Sequence, residues 1–202
     1  MIVLKRICFL ILIGATLWSC GKKDAAGPGA EAVPEESTEE ETENAAPDFS
    51  TWIPYASDEG GFSVKAPTVF VKNYEKTPTD GGDIQIIRFV SQTDFHHIYL
   101  IVINQIPEAL LAGRDPNEML QGTREGAVSQ FQGTIVSERQ MTLQGHAGLE
   151  IVLTGRSEGM DVEVTIRFFL VKNNLFHIYV INRKGFEDPA SAQYFLDSFA
   201  FK

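Results

Sequence analysis

Two segments of the sequence place arginine, histidine and tyrosine in the same pattern. IRFVSQTDFHHIYLIVIN begins at Ile87, and IRFFLVKNNLFHIYVIN begins at Ile166. Each reads as a strand, a turn and a strand, and side chains two apart in a strand point to one face. If the two hairpins are neighbours, we expect them to form one polar patch. Its members are Arg88, His97, Tyr99, Arg167, His177 and Tyr179. The similarity has two explanations, a duplicated hairpin or convergence on a good central hairpin.

Such a patch would suit a small ligand or a metal ion. A metal site needs three or four ligands that converge at about 2.0–2.1 Å, and the sequence has no H-x-x-x-H or C-x-x-C spacing. Adjacent His96 and His97 would point to opposite faces of a strand. The alternative is that His97 and His177 are packed histidines with backbone partners. We therefore expect no bound metal and no cofactor.

The pentapeptide GRSEG at residues 155–159 matches the G-x-S-x-G nucleophile elbow of hydrolases. That elbow needs a strand before the serine and a helix after it, whereas the pattern from Val162 predicts a second strand. We therefore interpret the match as accidental and expect no catalytic residue and no enzyme activity. In one plausible register of the same hairpin, Glu150 and Arg167 form a structural ion pair across the two strands.

The charge of the chain excludes some partners. The formal net charge is −10, and residues 49–202 hold 13 basic and 18 acidic residues with no basic cluster. Nucleic acids and anionic lipid headgroups attract basic surfaces. We therefore expect no nucleic-acid partner and no electrostatic docking to anionic lipid.

Short strands separated by turns must position these side chains. The alternation of apolar and polar residues predicts strands over 52–55, 62–66, 84–90, 97–104, 134–143, 149–155, 162–171 and 176–182. A helix is predicted to start at Asp115, with Pro116 at its first position, and to end near Gly133. A last helix is predicted from Asp188, and Asn173-Asn174 is predicted to be a two-residue turn.

Two of these strands are apolar on both faces, over residues 98–103 and 166–171. Strands with solvent on one side alternate, so these two are expected to be central and covered on both sides. The prediction is an α+β fold: a central antiparallel sheet of about six to eight strands, with helices packed on both faces.

Three stretches resemble the PsbP-like family. They are GFSVKAP from Gly61, LQGHAGLEI from Leu143 and FLDSFAF from Phe195. The resemblance covers residues 52–202, and it implies a central antiparallel sheet sandwiched by helices. It also implies a non-enzymatic scaffold or assembly module. The role of the family's photosystem members is not carried over, since no functional residues can be matched.

The start of the chain resembles a bacterial lipoprotein signal. Lys5 and Arg6 precede an uncharged, largely apolar run of 12 residues over 7–18, and residues 17–20 read LWSC, which resembles a lipobox. Trp18 departs from that motif, where a small or β-branched residue is usual. The resemblance implies cleavage before Cys20 and lipidation of Cys20. Plain secretion and an uncleaved anchor are the alternatives, although a membrane-spanning helix needs about 20 apolar residues.

Three regions follow from this reading. Residues 1–19 are expected to be the signal peptide, residues 20–48 a lipidated cysteine with a disordered acidic tether, and residues 49–202 a globular α+β domain. Residues 21–48 hold nine acidic residues against two lysines and contain no aromatic residue, a composition that cannot bury enough apolar surface to fold. An acidic recognition tail is the alternative to a tether. The two cysteines, Cys8 and Cys20, leave no disulfide in the domain.

The functional expectation is a lipid-anchored cell-envelope protein that binds another envelope protein. A receptor for a small ligand or a metal, using the His/Tyr/Arg patch, is the alternative. Gly21 follows the cysteine, where some lipoproteins of the inner membrane carry Asp. The outer membrane is therefore preferred. A deep polar pocket at the patch would favour the ligand, and a flat exposed apolar surface would favour the protein partner.

Overall fold

The computed structural model of the chain describes residues 48–202. The expected signal peptide, the lipidation of Cys20 and almost all of the expected tether lie outside the described residues. Within them, the longest helix has 16 residues, and no helix is long and apolar enough to cross a membrane.

Seven antiparallel strands form the main sheet, in the spatial order β3-β4-β5-β9-β8-β7-β6. They are β3 (Val71–Thr77), β4 (Ile84–Gln92), β5 (His97–Gln105), β6 (Thr134–Leu143), β7 (His146–Ser157), β8 (Met160–Val171) and β9 (Asn174–Arg183). The α+β class and the antiparallel sheet are as predicted. The two strands that are apolar on both faces, β5 and β8, are interior, because β9 separates them and other strands flank both.

A second, three-stranded sheet was not predicted as a separate unit. It consists of β1 (Ile53–Ser57), β2 (Phe62–Ala66) and β10 (Ala200–Phe201), with β2 in the middle. The predicted hairpin of β1 and β2 is present, and β10 adds to it from the far end of the chain. Phe62 is fully buried and packs edge-on against Phe89 of β4, with ring centroids 5.0 Å apart. This contact joins the small sheet to the large one.

Three helices complete the fold: α1 (Glu108–Leu111), α2 (Pro116–Phe131) and α3 (Pro189–Ser198). The predicted start of α2 is confirmed, because the carboxylate of Asp115 accepts a hydrogen bond from the N–H of Asn117. Its end differs from the prediction. Gln132, with φ of 48°, is the left-handed cap rather than Gly133. Gly133 is needed for space instead, since a Cβ there would lie 2.9 Å from the carbonyl oxygen of Thr154.

Tight turns join the hairpins of the second half. Glu158 and Gly159, between β7 and β8, have φ of 51° and 84°, as a two-residue type I′ turn requires. The turn predicted at Asn173-Asn174 lies one residue earlier, because Lys172 has φ of 56° and Asn174 already begins β9.

Two hydrophobic clusters form the core. In the first, α3 and the small sheet pack on β4, β5 and β9, and in the second, α2 packs on β7 and β8. Strand β9 serves both clusters, with Ile178 and Val180 in the first and Tyr179 in the second. Because side chains alternate along a strand, the two clusters lie on opposite faces of the seven-stranded sheet.

Three aromatic side chains hold the start of the described chain against α3. Phe49 stacks on Tyr194 with ring centroids 4.1 Å apart, and Trp52 meets the same tyrosine edge-on at 5.2 Å. Trp52 also contacts Tyr99 at 5.4 Å. Each such pair contributes about 0.5–1.5 kcal/mol beyond its buried area. We call Phe49, Trp52 and Tyr194 the aromatic clasp.

Candidate functional site

The structure does not bring the six predicted site residues together. The two hairpins are neighbours, since β5 pairs with β9, but the register sets His97 opposite Asn182. Asn182 lies five residues after His177. An odd separation along β9 means that the two histidines point to opposite faces. A metal held jointly by His97 and His177 is therefore not possible in this fold.

The residues divide into two groups of three. His97, Tyr99 and Arg167 point to the face that carries the first core cluster, whereas Arg88, His177 and Tyr179 point to the face that carries the second. Whether either group binds a ligand stays a prediction, so each is described by its own contacts.

His97 connects two loops. Its Nδ1 lies 3.1 Å from Asp94 Oδ1 in the β4–β5 turn, and its Nε2 lies 2.7 Å from the carbonyl oxygen of Phe186, between β9 and α3. This matches the alternative expectation of a packed histidine with a backbone partner. Tyr99 is buried nearby, and burial raises its pKa to about 12. Both side chains are occupied in holding the fold.

Arg167 is 4% exposed, and all three of its nitrogens have partners. Nε donates to Glu150 Oε2 at 2.6 Å, Nη1 donates to the carbonyl oxygen of Leu196 at 2.7 Å, and Nη2 donates to Asp197 Oδ1 at 2.9 Å. The predicted pair of Glu150 and Arg167 is thus confirmed. The side chain of Arg139 reaches the other oxygen of Glu150 at 2.6 Å. This ion network ties the end of α3 to the sheet and commits the buried guanidinium of Arg167 to partners within the chain itself.

His177 forms a short polar ladder with its neighbours. Its Nδ1 lies 3.0 Å from Tyr179 Oη, and its Nε2 lies 3.2 Å from the amide nitrogen of Asn104. Burial lowers the pKa of His177 to about 4, so the ring is neutral near pH 7. A neutral ring with its proton on Nδ1 donates to the tyrosine oxygen and accepts from the amide. Sequence reasoning missed Asn104, although each of the two similar segments ends in asparagine.

Arg88 lies on the same face but is not a free cation. Its Nη1 is 2.7 Å from Glu75 Oε2 on β3. Among residues 48–202, the best-formed cavities are lined by side chains other than Arg88, His97, Arg167 and His177. The polar groups of this face therefore satisfy one another, and no deep polar pocket opens beside them.

The face that carries Arg88 and His177 has a half that α2 leaves uncovered. Under α2, the apolar residues of β7 and β8 are fully buried, among them Ile151 and Val164. On β3, β4 and β5 the apolar residues of the same face are exposed or half-buried, and Val71 is 62% exposed. We call this surface the open half-face. It consists of Val71, Ile84, Ile86, Val90, Ile98, Leu100, Val102 and Ile181.

The opposite face has a comparable region with a different composition. Over β6, β7 and β8, beyond α3, the residues that point outward include the polar Ser137, Thr154, Glu163 and Thr165 and the half-buried Val152. A sheet face that meets water is normally polar, and this region follows that rule. The open half-face does not, and apolar patches of this kind mark interaction surfaces.

Two further candidates are not supported by their surroundings. Ser157 of the G-x-S-x-G match ends β7, and the tight turn is followed by β8 from Met160 rather than by a helix. The hydrolase elbow therefore lacks its geometry. Within residues 48–202, no three His, Cys, Asp or Glu side chains come together to hold a metal ion.

Comparison with known proteins assigns no family to the chain. No family model matches it, and no curated protein matches it. Among solved structures, cyanobacterial PsbP from Synechocystis is similar over 77% of this chain and 95% of its own, with 10% identity and a TM-score of 0.48. Protein PA94 of unknown function, from Pseudomonas aeruginosa, is similar over 70% and 86%, with 15% identity and a TM-score of 0.39. A protein from Bacteroides thetaiotaomicron is similar over 75% and 49%, with 10% identity and a TM-score of 0.42.

Proposed function

We propose that the protein is a lipid-anchored cell-envelope lipoprotein whose domain binds another envelope protein and catalyses no reaction. The observation that carries the binding role is the open half-face, an apolar sheet surface that no element of residues 48–202 fully covers. The best-formed cavities of residues 48–202 are lined by residues other than Val71, Ile86 and Val90. Because small-molecule sites are concave, this part of the surface fits a protein better than a small molecule.

The contrast between the two uncovered regions supports this role. Both regions lie beyond a helix on a face of one sheet, yet Glu163 and Thr165 of one region are polar, whereas Ile86 and Val90 of the other are apolar. Ile86 and Val90 belong to neither core cluster, so packing of the core does not call for apolar side chains at these positions. A partner that covers the surface would explain the apolar side chains, because removing apolar area from water stabilises the complex by about 25 cal/mol per Å².

The small-ligand or metal alternative has less support. It needs Arg88, His97, Arg167 and His177 at one place, and the register of β5 and β9 separates them. Arg88 and Arg167 are also committed to carboxylates of the chain itself.

The proposed anchor rests on the LWSC motif at residues 17–20 and on the basic and apolar segments before it. Two or more acyl chains hold a protein stably at a membrane, whereas one chain holds it only marginally. Gly21, rather than Asp, after the cysteine favours the outer membrane. An acidic tether over residues 21–48 would keep the domain away from the lipid surface.

We further propose that the fold is a sandwich of the PsbP-like kind, with α2 on one face of the sheet and α3 on the other. The positions of the three family-like stretches support it. GFSVKAP contains β2, LQGHAGLEI forms the turn between β6 and β7, and FLDSFAF spans the end of α3 and β10. The composition of the two core clusters agrees with this arrangement.

Site-specific photocrosslinking in intact cells tests the binding role. A benzophenone amino acid at Val71 or Ile86 is expected to give one discrete product with an envelope protein, because both positions lie on the open half-face. The same amino acid at Thr165 is the matched control, since that strand position is half-exposed on the polar region of the other face. Equal crosslinking from Val71 and Thr165 would overturn the proposal.

Metabolic labelling tests the anchor separately. Cells given an alkyne analogue of palmitate are expected to label the wild-type protein and to leave Cys20→Ala unlabelled and outside the membrane fraction. Label that persists in Cys20→Ala would show that Cys20 is not the site of lipidation, whatever the open half-face binds.

A further inference from the structure

A cavity of about 190 Å³ lies at one end of the large sheet. Two turns form its walls. The β4–β5 turn contributes Phe95 and His96, and the β7–β8 turn contributes Glu158 and the adjoining Met160. Because β9 runs between β5 and β8 in the sheet, the end of β9 forms the floor between the two walls.

The floor and much of the walls are apolar. Ile98, Ile181 and Val162 line this space from three neighbouring strands. They point to one face of the sheet, because Ile98 is opposite Ile181, and Val162 is opposite Arg183, two residues further along β9. Phe95 is 81% exposed and Met160 is 36% exposed. Large apolar side chains with this exposure, arranged around a concavity, are typical of a ligand site rather than of a surface that faces water.

Arg183 supplies a cation at the edge of this apolar space. Its side chain lines the cavity, and among residues 48–202 it is in no ion pair. Its guanidinium carbon lies 5.6 Å from the centre of the Phe186 ring. That ring also stacks on His96, with centroids 3.8 Å apart and planes 9° apart. The stack fixes the wall beside Arg183, so that the cation is held near the cavity without a carboxylate of its own.

The remaining polar lining is Gln92, Ser157 and Glu158. Glu158 is on the exposed tip of the β7–β8 turn, where it would repel an anion at the mouth. The acidic group of a ligand is therefore directed to Arg183, where the guanidinium can form a charge-assisted pair.

We propose that this cavity binds a small organic anion that has one acidic group and an apolar body the size of a single ring or a short alkyl chain. The acidic group pairs with Arg183, and the apolar body lies on Ile98, Val162 and Ile181 between Phe95 and Met160. This site adjoins the open half-face and shares Ile98 and Ile181 with it, but it goes beyond the protein-binding role, and its test does not depend on a partner protein.

Methyl NMR on the full chain in a detergent micelle gives a direct readout. The sequence has four methionines, of which Met160 lines the cavity while Met119 and Met141 lie elsewhere. With 13C-methyl methionine labelling, 3-phenylpropionate is expected to shift the Met160 signal in a saturable way and to leave Met119 and Met141 unmoved. Its uncharged analogue, 3-phenylpropionamide, is expected to bind at least tenfold more weakly.

A pair of charge variants isolates the role of Arg183. Arg183→Gln is expected to weaken 3-phenylpropionate at least tenfold. Lys184→Gln removes the same charge from the next residue, which does not line the cavity, and is expected to bind as the wild type does. No shift of Met160 overturns the proposal, as does equal binding of the acid and the amide. Equal affinities of Arg183→Gln and Lys184→Gln overturn it too.

Discussion

Replacing Arg167 with methionine tests whether the buried ion network holds α3 on the sheet. The change keeps an unbranched apolar stem and removes three donated hydrogen bonds, to Glu150, the Leu196 carbonyl and Asp197. Removing one partner of a buried pair costs about 3–5 kcal/mol, because the other charge stays buried without compensation. Glu150 would keep Arg139, so we expect the lower end, about 3 kcal/mol.

The matched control is Arg139→Met, which removes the other guanidinium on the same carboxylate. The Arg139 side chain is 58% exposed, against 4% for Arg167. Exposed pairs contribute about 0–1 kcal/mol, and we expect that range here. A double variant, Arg167→Met with Glu150→Leu, removes both buried charges and is expected to recover part of the loss.

Urea unfolding followed by Trp52 fluorescence measures these differences, since Trp52 packs on Tyr99 and Tyr194 in the folded state. The free energies of unfolding follow from linear extrapolation. Equal losses in Arg167→Met and Arg139→Met would refute the reasoning, because Arg167 is buried and donates to three partners, whereas Arg139 is exposed and donates to Glu150.

The same ion network predicts how the stability difference between the wild type and Arg167→Met depends on pH. Burial raises the pKa of Glu150, but hydrogen bonds from Arg139 and Arg167 outweigh it and hold the pKa below its usual value. A carboxylate with a lowered folded pKa stabilises the fold above its unfolded pKa of about 4.3, and that stabilisation is lost as the pH falls through the folded pKa. The gap between wild type and Arg167→Met is therefore expected to narrow below about pH 4.

Four further variants test other parts of the fold. Gly122→Ala in α2 is expected to stabilise the protein by about 0.4–1 kcal/mol, since a Cβ there meets nothing within 4 Å. Gly148→Ala is expected to destabilise it by about 1–3 kcal/mol, because the Cβ would lie 2.6 Å from the Phe168 carbonyl oxygen; thermal unfolding distinguishes these signs. Burial lowers the pKa of His177 in the folded protein to about 4, whereas the pKa of an unfolded histidine is about 6.5. As the pH falls, the unfolded chain therefore takes up its proton first. The free energy of unfolding of the wild type is expected to fall as the pH drops from about 6.5 to about 4, by at most about 1.4 kcal/mol per pH unit. In urea titrations, His177→Gln is expected to lack this pH dependence. Val71→Asp is expected to change stability by less than about 0.5 kcal/mol and to abolish crosslinking at the open half-face; undiminished crosslinking from Ile86 in this variant would contradict the assignment of that surface.

Features that depend on neighbouring residues were predictable from the sequence. The start of α2 follows from Asp115 and Pro116, whose cap and fixed φ act within one turn. The pairing of Glu150 with Arg167 follows from a tight turn between consecutive strands, which fixes the register of their hairpin. The cap at Gln132 departed from expectation because the adjacent glycine is required by the approach of Thr154, a contact that local sequence does not reveal.

The predicted His/Tyr/Arg patch is split between two faces by the register of β5 with β9, which local sequence does not determine. Hairpin turns set the registers of β4 with β5 and of β8 with β9, but no turn joins β5 to β9. A shift of one residue in that pairing would have placed His97 and His177 on one face. The open half-face was equally hidden, because its exposure depends on where the connections of α2 set that helix over β7 and β8.

The aromatic clasp has a mechanical consequence. Tension from the chain before residue 48 would enter the fold at Phe49 and Trp52 and pass next to β1, which is an edge strand of the small sheet within residues 48–202. The clasp and the outer strand of the small sheet would therefore take up strain before the seven-stranded sheet does. If the protein is anchored through its N-terminal segment, as proposed, the contacts between the rings of Phe49, Trp52 and Tyr194 are expected to break first under tension. The open half-face, on the other side of the large sheet, is expected to keep its shape.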